Sequence, residues 1–533
     1  MNWIPPHDRW PLLSLLGFLV LFVMVTHSGW TLDGVSGGFH PGHVWVVDQV
    51  AEMLSGSESW SGMTRRIGYP DPVYLRLIGW IPLLLAAPLA LIMGAPAAMW
   101  VVIALGYCAA GLVTTVLIRR VTGADTGSAA AAGLVYVLSP FSLGVLANGQ
   151  LAKMQLWCLP LLLLLADRLL LEERKWPLAC GVFLASVALG FTSPSIGLVM
   201  PLALGVWVVF RMRWRDGAWR WAVCALALAA LGMVPAWWMH TAPTDVVAGL
   251  LPAAPVPGLQ SPAHLSPVAT VSGLLGLSVP WDAARSAINN VGTLGWPALL
   301  GAVLAMMVRP RNALLGLCLF ATGTLLALGP SVQWASMTWL LPAELLVRAG
   351  YPLEQSGMYY RFVQVASLGL AMCCAVMALH WPKQARWIAL VVGLGTVVDG
   401  VRVTEPLWPR SIRSIAHQPL YASMAADSVS GAVLELPLAH IDTEGERRLL
   451  GQLIHGRSTS VLARNMVVHG QPRLENLSAA IRDSRTEGRL RELGFRYVLL
   501  HRPRSHSALY SLLLDRLGTP KEDGGLAVWV VRQ

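Results

Sequence analysis

The chain has 533 residues, of which 55% are hydrophobic and only 13% are charged, and its formal net charge at pH 7 is +10. Soluble domains have about 25% charged residues, so the composition excludes an ordinary soluble protein and indicates an integral membrane protein. The basic residues of the first 404 positions lie mostly in short clusters between apolar runs, which argues against a nucleic-acid-binding face. All seven cysteines lie within apolar runs, so the sequence predicts neither a disulfide framework nor a paired-cysteine metal site.

The apolar runs predict an α-helical polytopic membrane protein. A transmembrane helix needs about 20 apolar residues to cross a hydrocarbon core of about 30 Å. By this criterion the sequence predicts about 11 spans, at 10–27, 98–118, 126–146, 156–171, 177–194, 196–210, 220–240, 295–308, 312–330, 360–380 and 387–403. One more apolar run, at 73–95, contains Pro82 and Pro88 and is either another span or a juxtamembrane element.

Clusters of lysine and arginine alternate between loops, and this alternation predicts the orientation of the chain. The clusters recur in every second loop from residue 119 onward, whereas the long loop at 241–294 contains a single basic residue. We therefore expect the clustered loops to be cytoplasmic, and the intervening loops and the tail after residue 404 to lie outside. The side of the 28–72 loop stays open, because it depends on whether the run at 73–95 crosses the membrane.

The composition changes near residue 405. The remaining sequence holds 17 of the 39 lysine and arginine residues, and none of its apolar runs is long enough to span a membrane. Strands are predicted there at 431–439, 495–501 and 526–531, and helices at 447–456, 474–494 and 506–518. This alternation is typical of a small α/β domain. We therefore predict a transmembrane domain over 1–404 and an extracytoplasmic α/β domain over 405–533.

The first candidate site lies in the 28–72 loop. The segment VWVVDQVAEML (44–54) has the periodicity of an amphipathic helix, which places Asp48 and Glu52 on one face at positions i and i+4. Two carboxylates on one face can bind a divalent cation or act as a general base. A solvated helix face is the plainer interpretation of the same pattern.

Two further segments place polar residues near the predicted outer surface. Gln150 and Lys153 interrupt the apolar sequence after the third predicted span, where an ordinary external turn is the alternative.

Arg361 enters the membrane at the start of a span. An intramembrane arginine is costly and typically functional, and its guanidinium suits a phosphate group. Snorkelling of Arg361 to the interface is the alternative. Asp399 and Arg402, near the outer end of the last span, are expected to pair in a structural role.

These segments, in this order, resemble the GT-C superfamily of polytopic glycosyltransferases. The residues that carry the resemblance are the 28–72 loop, IGYPDPVYLRLIGWIPLLLAAPL (67–89), VLIRRVTG (116–123), Ser139-Pro140 and Leu159-Pro160. The tail segments VLELPLAH, HGR and LRELGFRYVLLHR (within 433–503) are more similar to bacterial membrane proteins of the YfhO-like type. The resemblance implies that 73–95 is a juxtamembrane element and that the 28–72 loop is external.

The resemblance implies a membrane enzyme that transfers a sugar from a polyprenyl-phosphate carrier to a glycan or protein acceptor of the cell envelope. In that function Asp48 is the general base or the ligand of a divalent cation, Mg or Mn, with Glu52 or His43 assisting. The residues expected to contact the substrate are Arg361, Gln150 and Lys153. The implied location is the bacterial inner membrane, which the chain crosses several times, and membrane lipid rather than nucleic acid is the expected surrounding partner.

Two other functions stay open at this point. The sequence has Gly42-His43 where the superfamily usually has Gly-Asp, and Gly149-Gln150 where relatives often have Gly-His and then an acid. These differences favour a catalytically inactive member of the fold that acts in envelope assembly or binds a partner through its tail. A transporter is the third hypothesis, although the sequence shows no internal repeat and almost no charge in the middle of a span.

Overall fold

A computed structural model of the chain describes most of its residues. The described residues are 6–26, 34–36, 41–58, 63–64, 66–70, 73–75, 79–147, 155–172, 175–212, 219–241, 294–334, 337–349, 359–381, 383–404, 412–414, 419–437, 443–461, 467–469, 474–501, 503–523 and 525–532. Every structural statement below concerns these residues.

Helices dominate the first half of the chain. They are α1 (Pro6–Thr26), α2 (Pro41–Ser55), α3 (Trp80–Met93), α4 (Ala95–Thr122), α5 (Thr126–Val137), α6 (Pro140–Ala147), α7 (Cys158–Leu171), α8 (Lys175–Thr192), α9 (Pro194–Arg211) and α10 (Trp219–Thr241). The short strand β1 (Gly34–Ser36) precedes α2, and β2 (Met63–Thr64) and β3 (Val73–Leu75) follow it.

The next part of the chain is also mainly helical. Its helices are α11 (Trp296–Val308), α12 (Pro310–Ala327), α13 (Pro342–Arg348), α14 (Val363–Ala378) and α15 (Ala385–Thr404). Between α12 and α13 lies a hairpin of β4 (Ser331–Trp334) and β5 (Met337–Leu340). A 3₁₀ turn at Tyr359–Phe362 leads directly into α14.

Local sequence explains where several of these helices begin and end. The Asp125 carboxylate accepts hydrogen bonds from the backbone N–H groups of Gly127 (3.0 Å) and Ser128 (3.2 Å), so two of the unpaired donors at the start of α5 are satisfied. Helix α4 ends at Gly123, whose φ of 76° is the left-handed conformation that glycine adopts without steric cost. These caps separate α4 from α5.

Every predicted span coincides with at least one helix, but fewer helices have the length and hydropathy of a span. Among the described residues, four helices are long and apolar enough to cross a membrane: Ala95–Thr122, Lys175–Thr192, Pro310–Ala327 and Tyr359–Ala378. A fifth span results if the bent pair Thr126–Val137 and Pro140–Leu146 crosses as one unit. Further apolar helical stretches of 10–17 residues lie at Arg9–Val23, Ile81–Met93, Gly197–Arg211, Trp219–Val234 and Trp296–Val308. These findings agree with a multi-pass membrane protein, and the count of about 11 spans stays a prediction.

Within the run at 73–95, residues Trp80–Met93 form the 14-residue helix α3. At 1.5 Å per residue this helix is about 21 Å long, which is shorter than a hydrocarbon core of about 30 Å. It packs against α2 on one side and α4 on another. Its length and packing favour the interpretation of 73–95 as a juxtamembrane element rather than a full span.

The predicted span at 126–146 is not one straight helix. It consists of α5 and α6, which are bent by 57° at Ser139-Pro140, because Pro140 has no backbone N–H and cannot continue the preceding helix. Hydroxyl groups bind the backbone around the bend. Ser142 Oγ donates to the carbonyl of Tyr136 (3.1 Å), and the Tyr107 hydroxyl donates to the carbonyl of Ser142 (2.7 Å). Irregular backbone inside a membrane protein is tolerated where such partners are present.

An ionic cluster joins the ends of α4, α7 and α9. Asp167 on α7 is fully buried, and its two carboxylate oxygens accept hydrogen bonds from Nε of Arg120 on α4 and Nε of Arg211 on α9, both at 2.6 Å. Glu172 also contacts Arg120, at 3.1 Å. A buried carboxylate held by two guanidinium groups is compensated electrostatically, so the cluster fixes the ends of three helices relative to one another.

Strands and helices alternate in the tail. The strands are β6 (Ile412–Ser414), β7 (Ala432–Leu436), β8 (Val467–His469), β9 (Phe495–His501), β10 (Lys521–Asp523) and β11 (Leu526–Val530). The helices are α16 (Pro419–Ala426), α17 (Thr443–His455), α18 (Leu474–Arg482), α19 (Thr486–Glu492) and α20 (Ser507–Leu517). Four strands form a sheet in the order β10-β11-β9-β7, in which β7 and β9 are parallel and the other neighbours are antiparallel. Buried apolar side chains cover both faces of this sheet.

The tail is joined to the 28–72 loop and its flanking strand by backbone pairing. Strand β1 pairs with β6, with Gly34 opposite Ser414. Strand β3 pairs with β2 on one side and with β8 on the other, where Tyr74 lies opposite His469. Helix α17 packs against α2. The division into two domains at residue 404 stays a prediction. Strands β6 and β8 of the tail nevertheless complete the small sheets of β1 and of β2 and β3, the strands that precede and follow α2 in the sequence.

Candidate functional site

Helix α2 carries the polar side chains that the sequence singles out in the 28–72 loop. It extends over Pro41–Ser55, so the predicted amphipathic helix at 44–54 is confirmed. The apolar side, which includes the fully buried Trp45, packs into the core. Asp48 and Glu52 are half-buried one turn apart, and the half-buried His43 lies near the start of the helix. The structure thus groups all three on one helix, while their chemical roles stay predictions.

Asp48 is paired with an arginine that the sequence did not identify as a site residue. Nη2 of Arg66 lies 2.9 Å from Oδ2 of Asp48, and Nη1 donates to Oε1 of Gln49 at 3.3 Å. The same guanidinium lies over the Trp45 ring, with its Cζ atom 5.9 Å from the ring centroid, a distance at which cation–π attraction operates. Arg66 therefore contacts three side chains of α2, those of Trp45, Asp48 and Gln49, and it orients the Asp48 carboxylate.

The environment of Asp48 raises the pKa of its carboxyl group. Burial is the largest cause, because it disfavours the charged form. The charge and hydrogen bond of Arg66 lower this pKa, and the negative charge of Glu52 raises it, but burial prevails. A carboxylate with a raised pKa binds a proton more strongly than an ordinary aspartate, which suits a general base.

Residues of the tail contact this site directly. The indole N–H of Trp45 donates to Oε1 of Gln452 on α17. Nε2 of Gln452 lies 3.4 Å from the carbonyl oxygen of Arg66, which also accepts a hydrogen bond from the N–H of Thr459 (2.9 Å). No spacing in the sequence indicates these contacts, because the partners are hundreds of residues apart. Only the pairing of the tail with the loop brings them together.

A second buried polar group lies beside α17 in the tail. Glu435 on β7 is only 1% exposed, and its carboxylate is hydrogen-bonded to Nε2 of His501 on β9. Nδ1 of His455 on α17 accepts a hydrogen bond from the N–H of Arg457 (3.1 Å). Burial lowers the pKa of His455 to about 4, although the negative charge of Glu435 acts in the opposite direction. His455 is therefore neutral at pH 7.

Acidification should weaken the packing around His455. In an unfolded chain a histidine binds a proton below a pKa of about 6.5, whereas folded His455 binds one only near a pKa of about 4. The unfolded state thus holds more protons between these values, and the free energy of unfolding should fall by about 2 kcal/mol from pH 7 to pH 5. Unfolding of the full-length protein at several pH values measures this loss. In His455→Gln this part of the pH dependence should disappear, and an unchanged slope would contradict the prediction.

The described residues do not fit the predicted divalent cation. Within the described ranges, no group of three or more His, Cys, Asp and Glu side chains is placed to hold a metal ion. Oδ2 of Asp48 lies 2.9 Å from Nη2 of Arg66, and a guanidinium at that distance repels a cation. The surroundings of Asp48 therefore suit proton transfer better than metal binding.

The turn that contains Arg361 and helix α2 have different principal neighbours. Arg361 lies in the 3₁₀ turn at Tyr359–Phe362, next to the buried Tyr360, and this turn packs against α9, α12 and α14. Helix α2 packs mainly against α3, α4 and α17. The arginine next to Asp48 is Arg66, and the role of Arg361 stays a prediction. Gln150 and Lys153, the other predicted substrate contacts, lie outside the described residues.

Asp399 and Arg402 form the expected pair on α15. Their Oδ1 and Nη2 atoms are 2.9 Å apart. Oδ2 of Asp399 also accepts a hydrogen bond from the backbone N–H of Trp296 (3.0 Å), at the start of α11. The pair therefore links two helices and has the structural role predicted from the sequence.

Comparison with known proteins supports the fold of the whole chain. No protein-family model matches the sequence, and no curated protein matches it. Among solved structures, the chain is similar to the arabinofuranosyltransferase AftD from Mycobacteria, with a TM-score of 0.57 and 16% identity over 98% of this chain and 40% of that chain. It is also similar to an oligosaccharyltransferase from Archaeoglobus fulgidus, with a TM-score of 0.50 and 13% identity over 94% of this chain and 69% of that chain.

These similarities extend over nearly the full length of the chain, although the chain spans only 40% of the length of the arabinofuranosyltransferase. Both solved structures are of glycosyltransferases. The chain therefore shares the fold of these proteins, which agrees with the sequence resemblance to the GT-C superfamily. The finer likeness to YfhO-like proteins stays a prediction.

Proposed function

We propose that the chain is a membrane glycosyltransferase that transfers a sugar from a polyprenyl-phosphate carrier to a glycan or protein acceptor outside the cytoplasm. The observation that carries this proposal is the half-buried Asp48–Arg66 pair, 2.9 Å apart, on the loop helix of a GT-C-like fold. The fold supports the reaction class, and the carrier and acceptor are our inference. We place the protein in the bacterial inner membrane, with the 28–72 loop and the tail on the outer side.

In the proposed reaction the Asp48 carboxylate removes the proton from an acceptor hydroxyl. The hydroxyl oxygen forms a bond to the anomeric carbon of the donor sugar, while the bond from that carbon to the phosphate oxygen breaks. The electron pair of the broken bond leaves with the carrier phosphate. A positioned base of this kind typically accelerates a reaction about 100- to 10,000-fold, and Arg66 holds the base in a fixed orientation.

The remaining site residues have supporting roles in the proposal. Glu52 and His43 assist Asp48 from the same helix. The developing negative charge on the carrier phosphate needs a cation, and a guanidinium can bind two phosphate oxygens at once. Arg361 is proposed for that role, with Gln150 and Lys153 as further substrate contacts. Because Arg361 and α2 have different principal neighbours, Arg66 is the nearer cation to the base and is proposed to share this function.

The proposal is tested by reconstituting the full-length protein in vesicles with a panel of polyprenyl-phosphate-linked sugars and a mixed glycan acceptor. We expect one donor to release its polyprenyl phosphate in equal amount to the sugar transferred. Equal turnover with and without EDTA would support Asp48 as a base, and loss of turnover with EDTA would support Asp48 as a cation ligand. Absence of release and transfer with every donor would contradict the proposed function.

The second candidate function is a catalytically inactive member of the fold that acts as an envelope-assembly scaffold. It is favoured by His43 at the position where the superfamily usually has an acid, and by the engagement of Asp48 with Arg66. In that function, cells that carry Asp48→Asn and Arg361→Gln should keep the normal envelope phenotype. Removal of the contacts that the tail makes should abolish the normal envelope phenotype, because the tail would be the partner-binding element.

A further inference from the structure

The tail supplies a side chain that reaches the loop helix at the proposed site. We propose that Gln452 is a positioning residue for Asp48, acting through Trp45 and Arg66, so that the site is complete only when the tail is packed against α2. The catalytic consequence rests on the proposed function, whereas the packing consequence does not.

The side-chain amide of Gln452 is suited to this role because it has an acceptor and a donor on one planar group. Its oxygen accepts from the indole N–H of Trp45, and its nitrogen lies 3.4 Å from the carbonyl oxygen of Arg66. Both Gln452 and Trp45 are fully buried. A side chain without these groups would leave the buried indole N–H of Trp45 unsatisfied, which is costly, whereas the Arg66 carbonyl would keep its hydrogen bond from the N–H of Thr459.

The backbone of the loop is held by the same part of the tail. The N–H of Thr459 donates to the carbonyl of Arg66 (2.9 Å), and the N–H of Gly68 donates to the carbonyl of Val461 (2.9 Å). The N–H of Tyr69 donates to the carbonyl of Thr459 (3.0 Å). The backbone hydrogen bonds therefore set the position of the Arg66 main chain, while Gln452 sets the position of the Trp45 ring beneath the Arg66 guanidinium.

The contacts form a continuous series from the tail to the carboxylate. Gln452 fixes the Trp45 ring, Arg66 lies over that ring at 5.9 Å, and Arg66 holds Asp48 at 2.9 Å. Among the described residues, the charged groups that shift the pKa of Asp48 are Arg66 and Glu52. Displacement of Arg66 would leave Glu52 and burial to act on Asp48, and both of these raise the pKa of the Asp48 carboxyl.

The test compares Gln452→Met with wild-type full-length protein in vesicles. Methionine preserves length and apolar packing but removes both hydrogen bonds. We expect the rate of sugar transfer to fall about 10- to 100-fold, as for a misplaced catalytic group. We also expect the acidic limb of the pH–rate profile to shift to higher pH. Hydrogen exchange of the backbone amides in 44–55 should become faster, while exchange in β9 should stay unchanged.

A matched control is Arg457→Lys. The guanidinium of Arg457 donates to tail carbonyls, those of Met424 (2.9 Å), Asp427 (2.6 Å), Val429 (2.6 Å) and Gly431 (3.3 Å). This variant should weaken the tail and lower the amount of active protein without moving the acidic limb. It therefore shows what a purely structural loss looks like in the same assay.

The outcomes separate the two proposals. A reduced rate in Gln452→Met with an unmoved acidic limb would overturn the positioning role, as would unchanged hydrogen exchange in 44–55. If the wild-type protein transfers no sugar, the proposed function fails. In that case faster exchange in 44–55 of Gln452→Met, absent in Arg457→Lys, would still support the positioning of α2 by the tail.

Discussion

Replacement of Asp48 by asparagine is expected to lower the rate of sugar transfer about 100- to 10,000-fold, which is the usual contribution of a positioned general base. The amide has nearly the same size as the carboxylate and its oxygen can still accept a hydrogen bond from Arg66, so the position of the side chain is preserved. Its nitrogen cannot accept a proton from the acceptor hydroxyl at neutral pH. The measurement is the initial rate of carrier release in vesicles that contain equal amounts of folded protein.

A suitable control for Asp48→Asn is Glu344→Gln on α13. Glu344 lies on the predicted outer side and pairs with Arg348 at 2.8 Å, and Arg348 is 63% exposed. Such exposed pairs contribute little to stability, and the rate should remain close to that of the wild type. A rate for Asp48→Asn within about threefold of wild type would contradict the role of Asp48 as the base.

Asp167→Asn is expected to destabilise the folded protein by about 3–5 kcal/mol, the usual effect of breaking a buried ion pair. Asp167 is fully buried, and both of its oxygens are bound by guanidinium groups at 2.6 Å. An amide leaves the positive charges of Arg120 and Arg211 without the compensating negative charge and turns one acceptor into a donor. The thermal unfolding midpoint of the detergent-solubilised protein should fall markedly.

The matched control is Glu172→Gln in the same cluster. Glu172 contacts Arg120 at 3.1 Å and Arg168 at 2.9 Å, but its side chain is 31% exposed. Loss of this charge should change stability by less than about 1 kcal/mol. Equal effects of the two substitutions would show that burial of Asp167 does not determine the strength of the cluster.

The sequence predicted the parts of the site that depend on local periodicity. The apolar repeat of 44–54 correctly placed Asp48 and Glu52 on one face, because α2 is a regular helix. The sequence also correctly predicted that the tail helix α17 ends at Gly456, whose φ of 65° is left-handed. Local sequence patterns are sufficient to predict the position of a residue when that position depends only on the helix that contains it.

Features that depend on side-chain hydrogen bonds across a turn were harder to predict. The predicted single helix at 474–494 is divided into α18 and α19. The Asp483 carboxylate accepts a hydrogen bond from the N–H of Arg485 (2.8 Å), and the Thr486 hydroxyl donates to the Asp483 carbonyl (2.6 Å). These bonds compete with the continuation of the helix, and residues 482–489 contain no apolar side chain that would hold a continuous helix against the core.

The cation beside the base was beyond prediction from sequence. Arg361 was expected at the site because it stands at a membrane boundary, and the sequence did not single out Arg66. The main chain at Arg66 is held by the tail, since the N–H of Thr459 donates to the Arg66 carbonyl (2.9 Å). Strand β3 pairs with β8, about 390 residues later in the chain, and no periodicity encodes such a partner.

The hydrogen bond between Trp45 and Gln452 joins residues that are 407 positions apart. During synthesis at about 5–20 residues per second, α2 emerges about 20–80 seconds before α17. Throughout that interval the loop helix lacks the neighbour that covers its indole and fixes Arg66. Maturation of the protein is therefore ordered in time: the membrane helices can assemble first, and the site on α2 is finished only after the last quarter of the chain has been synthesised. A truncated chain would reach the membrane with its helices inserted and its site unfinished.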